Sequence, residues 1–178
     1  MKKYFRLIIL HLALFSTGLS IAQNKIQWVE IGEGTYDHGF IFPYKIKLYV
    51  PYGVRDIGDL KEGLLPMKFR LDWLPITMKQ KKVKSIFASQ LKNNFDNLEN
   101  YRLSENIVER FLIKLPEIKK HDIWIFEYFP DRGTHLIIED KTIHQLVGAE
   151  LNRALIQSWI NKNPMLTSSL FNRLLKVQ

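Results

Sequence analysis

The hydrophobic pattern predicts alternating strands first and amphipathic helices after them. Residues 25–31 alternate around Ile26, Trp28 or Val29, and Ile31, the period-two signature of a strand. Gly32, Glu33 and Gly34 read as its end. Tyr36 to Val50 is rich in Tyr, Phe and Ile and reads as a further strand or strand pair, with Ile46, Leu48 and Val50 opposed to Lys45, Lys47 and Tyr49. Residues 51–65 carry Pro51, Gly53, Gly58 and Gly63 and read as loop. Met67, Phe69, Leu71 and Trp73 then alternate with Lys68, Arg70 and Asp72 in a strand that Pro75 ends. Thr77 is placed to cap a helix whose stripe is Val83, Ile86, Phe87, Leu91 and Phe95. After a polar connection at 96–103, Ser104 opens a shorter helix with Ile107, Val108, Phe111, Leu112 and Leu115 on one side, stopped by Pro116.

Asp122 to Phe129 reads as a strand, Pro130-Asp131-Arg132-Gly133 as a turn, and Thr134 to Glu139 as the returning arm. Proline presets φ at that turn and glycine accepts φ > 0. Thr142 is placed to cap a long helix striped by Ile143, Leu146, Val147, Leu151, Ala154 and Leu155, widened by Ile156, Trp159 and Ile160. Asn163-Pro164 breaks it, and Thr167 opens a last helix. Strands, helices, a hairpin and helices in that order predict an α+β fold, an antiparallel sheet with helices on one face.

Composition changes this picture in two places. The chain has 178 residues and is 46% hydrophobic, enough for one domain with a core. It has no cysteine, which excludes disulfide scaffolds, thiolate metal sites and cysteine nucleophiles. The first residues form an address: Lys2, Lys3 and Arg6 precede an apolar run from Leu7 to Phe15, and Ser20 and Ala22 are small. That run is shorter than the ~20 residues that span a bilayer. We read residues 1–22 as a signal peptide cleaved after Ala22, ahead of a single domain over 23–178, and expect a periplasmic protein. Nucleic acid is then not an expected partner. The formal charge of +8 includes three of the leader's cations, so the mature chain is only mildly basic.

Motifs for catalysis are sparse. The five histidines form no paired ligand spacing, so neither a metal nor a cofactor is expected. There is no Gly-x-Ser-x-Gly elbow, and Gly32-Glu33-Gly34 lacks the third glycine and the helix of a dinucleotide site. Lys79, Lys81, Lys82 and Lys84 read as a solvated helix face, with an anionic lipid surface, and hence peripheral envelope association, as the rival.

Two stretches resemble the chalcone isomerase superfamily, and within it a bacterial exported branch. Gly32-Glu33-Gly34-Thr35-Tyr36 through Phe42 to Leu48-Tyr49-Val50 is similar to the family's Gly-x-Gly-x-Arg segment and following strand. Pro130 to Gly133, Ile137 to Glu139, Ser158-Trp159-Ile160, Asn163-Pro164 and Leu170 to Leu175 are similar to its closing hairpin, long helix and final helix. The resemblance implies an open-faced β-sandwich with an apolar cleft between sheet and helices. Plant enzymes of the family close chalcones there, and non-catalytic members bind fatty acids.

The departures from the family pattern decide the expected function. The family's arginine position is Tyr36, and a neutral phenol cannot replace a guanidinium's charge. The family's water-ordering Thr/Tyr pair falls near Tyr44 and Arg70, which do not match, whereas Ser158 keeps a family hydroxyl. Arg70 or Arg55 could supply a displaced charge. The expectation is a non-catalytic binder of an apolar or amphipathic, fatty-acid-like molecule, held near Tyr36, Tyr44, Arg70 and Ser158. A structural protein with a filled cleft is the alternative, and an isomerase or intramolecular lyase the third reading.

Overall fold

The computed structural model describes residues 26–36, 44–54, 57–74 and 77–160. Six strands form one antiparallel sheet in sequential order: β1 (Trp28–Tyr36), β2 (Tyr44–Pro51), β3 (Met67–Trp73), β4 (Ile123–Phe129), β5 (Gly133–Ile138) and β6 (Lys141–Leu146). Four helices accompany it: α1 (Ile57–Lys61), α2 (Gln80–Lys92), α3 (Leu98–Lys114) and α4 (Ala149–Ile160). The predicted α+β architecture, with an antiparallel sheet and helices on one face, is the one observed. The segments read as a leader (1–22) and a last helix, residues 37–43 of the segment read as a strand or strand pair, Arg55 and Pro75 lie outside the described residues.

Alternation in β2 and β3 builds the core directly. Tyr44, Ile46, Leu48 and Val50, with Met67, Phe69, Leu71 and Trp73, are all buried toward the helices. Their neighbours Lys45, Lys47, Tyr49, Lys68, Arg70 and Asp72 take the opposite, open face of the sheet. The helices answer with the stripe read from the sequence: Val83, Ile86, Phe87 and Leu91 of α2, Val108 and Phe111 of α3, and Leu151, Ala154, Leu155, Ile156, Trp159 and Ile160 of α4 are buried.

Several local predictions need correction. Gly32-Glu33-Gly34 does not end β1: a bulge between Glu30 and Gly32 absorbs the extra residue, and pairing continues to Tyr36 opposite Tyr44. Thr77 does not cap α2, which starts at Gln80 behind an uncapped Lys79. Helix α3 starts at Leu98, not Ser104, because the Asn97 side chain accepts the Asn100 amide proton at 2.8 Å. The segment read as a connection is the first turns of the helix, and Ser104 is buried within it.

The largest correction is at 141–148. The predicted helix from Thr142 is instead strand β6, followed by the shorter α4. Glu139 and Asp140 both take positive φ, 50° and 59°, which makes the two-residue turn that sends β5 back as β6. Gly148, at φ 108°, then separates strand from helix. Ile143 and Val147 are accordingly exposed rather than part of a helical stripe.

Candidate functional site

Between sheet and helices runs a continuous layer of aromatic rings. Tyr44 meets Trp73 edge-on at 4.9 Å, and Trp73 meets Trp124 edge-on at 5.4 Å. Phe87 of α2 stacks on Trp124 and Phe126 at 6.1 and 6.0 Å. Trp159 of α4 closes the far side, 4.7 Å from Phe69 and 4.9 Å from Phe126. Such ring pairs add to the burial of large apolar area and fix the spacing of the two layers.

The polar groups inside this layer are few and neutral. Among the described residues the buried polar side chains are Ser104, Thr134, Asn152 and Ser158, with no carboxylate, amine or guanidinium. The indole N–H groups of Trp124 and Trp159 are buried without a partner among the described residues. An interior of this kind can hold apolar surface by dispersion and offer neutral donors. Among the described residues it has no fully buried charged group to stabilise a developing charge and no fully buried carboxylate or imidazole to exchange a proton.

The predicted site residues separate. Tyr44 is buried at the first residue of β2, and the register sets Tyr36 opposite it. Ser158 is buried on α4, where its hydroxyl donates to the Leu155 carbonyl at 2.6 Å. That proton is committed to the helix backbone, leaving only acceptor lone pairs. Arg70 does not join them. It lies on the open face, where its Nε is 2.7 Å from an Asp72 carboxylate oxygen, because strand alternation sends it away from Phe69 and Leu71. It therefore supplies no displaced charge to the cleft. Trp28 also lies on the open face, with the Lys68 ammonium 4.5 Å over its ring and Phe129 edge-on at 6.3 Å.

A cavity of about 370 Å³ opens at the other end of the sheet. Leu64, Tyr128, Arg132, Val147, Arg153 and Ile156 are among its lining residues. Six residue steps of β3 separate this end from Tyr44, about 20 Å at ~3.3 Å per residue. The cavity size falls within the range of small-molecule pockets. Tyr128 donates its phenol proton to the Gly63 carbonyl at 2.7 Å, and burial pushes its pKa up, so it stays neutral. Asn152 fixes the frame. It accepts from the Thr134 hydroxyl at 2.6 Å and donates to the carbonyls of Gly148 at 2.8 Å and Leu146 at 3.2 Å. One amide thus ties β5, the end of β6 and α4 together. Sequence reading misses it, although a lone asparagine in an apolar stripe is the signal for such a tie.

A second cavity of about 260 Å³ lies between α3 and β6, lined by Ile107, Phe111, His144 and Leu151 among others. His144 stacks on Phe111 at 6.3 Å, and its pKa is lowered, first by burial and then by the Lys114 charge. A lowered folded-state pKa means the unfolded chain binds the proton first as pH falls. Stability held above the ordinary histidine value near 6.5 is then lost below it. The melting temperature should fall between pH 7 and pH 5, and less so in His144→Gln. Equal pH slopes for the two proteins would show that His144 is not held neutral.

The chalcone isomerase-like family model matches residues 30–176. The chain belongs to that family. The chalcone isomerase-like fold is also seen in the crystal structure of a fatty-acid binding protein from Arabidopsis thaliana. That structure superposes with a TM-score of 0.67 at 14% identity, covering 84% of this chain and 87% of that one. No curated protein matches in sequence. Family membership thus joins a fold read from alternation to a sheet–helix layer in which this chalcone isomerase-like chain keeps, among the described residues, only neutral polar groups.

Proposed function

We propose that this chalcone isomerase-like protein is an exported, non-catalytic binder of an apolar or amphipathic small molecule, fatty-acid-like in shape. The observation that carries the reading is the absence of any buried charged side chain among the described residues lining the sheet–helix layer. A tyrosine stands at the family's arginine position, which removes the permanent charge that an oxyanion would need. The fatty-acid binding of the Arabidopsis protein supports the ligand class. Tyr36 and Tyr44, opposite each other at one end of the sheet, and Ser158 on α4 are the proposed contacts, and the 370 Å³ cavity beside Tyr128 and Ile156 is a second point of access.

The close ring packing favours a second reading, in which the cleft is filled and the protein acts as a structural or interaction partner in the envelope. Native mass spectrometry of protein purified from cells separates the two. The binder should carry a lipid-sized adduct, take up a fluorescent fatty acid at one site per chain, and begin at Gln23. Ala149→Trp, at the exposed mouth of the cavity, and Tyr44→Leu report which end admits the probe. Protein with neither adduct nor uptake would leave the filled cleft standing.

A further inference from the structure

Lys81 and Lys82 in the first turn of α2 are separated in sequence from Lys119 and Lys120 by more than thirty residues. The fold brings the two pairs together. An isolated antiparallel bridge joins Met78 to Ile118, with hydrogen bonds of 2.9 and 2.8 Å in the two directions. Lys79 lies beside Glu117 across the same bridge, Nζ to carboxylate 3.3 Å. Lys79, Lys81, Lys82, Lys119 and Lys120 are all exposed. The carboxylates beside them are Glu117, already paired with Lys79, and Asp122, whose oxygen accepts the Lys119 amide proton at 2.8 Å. The patch is therefore strongly positive.

This arrangement works against the stability of α2. Its first turn has no acidic residue, and Lys79 offers no side-chain cap. Cations at a helix N-terminus oppose the helix dipole. An exposed apolar residue sits within the patch. Gln80 donates to the Leu115 carbonyl at 2.7 Å, which holds the last turn of α3, with Ile113 53% exposed, against the start of α2.

We propose that this patch docks the protein on an anionic phospholipid surface. Lysines around an exposed isoleucine suit a bilayer, where ammonium groups meet headgroups and the apolar side chain enters the interface. Nucleic acid suits the patch less: these cations are lysines without the arginine forks or stacking rings that read a strand. The docking surface is independent of what the cleft binds.

The test is co-sedimentation of the protein with vesicles of phosphatidylcholine alone and of phosphatidylcholine with about 30% phosphatidylglycerol, enough anionic lipid to set up a negative surface potential. Binding should require the anionic lipid and fall steeply from about 50 to about 500 mM salt. At about 1 kcal/mol per lysine near such a surface, each neutralised lysine lowers partitioning about fivefold. Lys81→Gln with Lys82→Gln, or Lys119→Gln with Lys120→Gln, should each cost on the order of twentyfold, while Lys45→Gln on the open face of the sheet should cost little. Circular dichroism checks that the variants, all at exposed positions, remain folded. Equal binding to both vesicle types, an equal loss from Lys45→Gln, or tighter binding to a duplex DNA probe than to the anionic vesicles would overturn the proposal.

Discussion

Alanine in place of Gly133 is expected to lower the melting temperature by about 10 °C, given the size dependence of such shifts. Gly133 ends the Pro130 turn at φ 82°, a region an alanine enters only at a cost of about 1–2 kcal/mol. The added methyl would also overlap the carbonyl oxygen of Leu146 and crowd the Asn152 amide nitrogen at 3.1 Å. Leu146 is the β6 residue that pairs with Thr134, so the backbone cannot yield without opening the first pair of the β5–β6 ladder. It is also one of the three groups bonded by Asn152, so the same shift disturbs the tie to α4. Together these effects come to roughly 3–5 kcal/mol, which in a chain of this size is about 2–4 °C per kcal/mol. Gly53 supplies the control. It has φ 88°, but nothing lies within 4 Å of an added methyl, so Gly53→Ala should show the backbone cost alone. Differential scanning calorimetry of the two variants decides the matter. Equal shifts would mean that the hairpin tip does not close on β6 as described.

The turn that this experiment probes is legible in the sequence because proline and glycine act through their own backbones. The same holds for β3, where alternation between Met67 and Trp73 states both the strand and its buried face. It holds also for the α2 stripe, whose apolar residues recur at helical spacing. What local pattern does not reach are the choices that depend on the partner rather than the segment. Thr142 to Leu146 contains β-branched residues, yet its apolar positions also suit a helix; only the turn at Glu139 and Asp140, with an edge of β5 waiting to be paired, selects the strand. Asn97 escapes notice as a cap because its neighbours look like a polar linker, although a single side-chain bond to Asn100 is enough to start the helix there.

The candidate site shows the same division. Burial of Tyr44 follows from the alternation of β2. Resemblance puts Arg70 in the cleft against the alternation of its own strand, and the strand prevails. A lone asparagine in an apolar stripe signals that Asn152 needs a buried partner, but which partners it finds, like the joining of the two lysine pairs, depends on contacts between distant segments.

Trp159→Ala should be as damaging as the Gly133 substitution, and it bears on the proposed function as well as on stability. The indole is 1% exposed and packed between Phe69 and Phe126, so its removal takes away both rings' contacts with α4. Truncation of a buried aromatic costs about 3–5 kcal/mol, part of it for the cavity left behind. None of that cost is a hydrogen bond to a described residue, because the indole N–H has no partner among them. Trp159→Phe should therefore cost much less, about 1–2 kcal/mol, since it keeps a ring in the layer and removes a donor that has no partner among the described residues. Denaturant unfolding of the two variants checks the order; a Trp159→Phe as damaging as Trp159→Ala would show that the donor has a role. The same pair reads the cleft. If the layer is already filled, Trp159→Ala opens new apolar space and gains fatty-acid uptake that the parent lacks. If the parent binds through an existing cleft, uptake is present beforehand, and truncation changes its affinity without creating it.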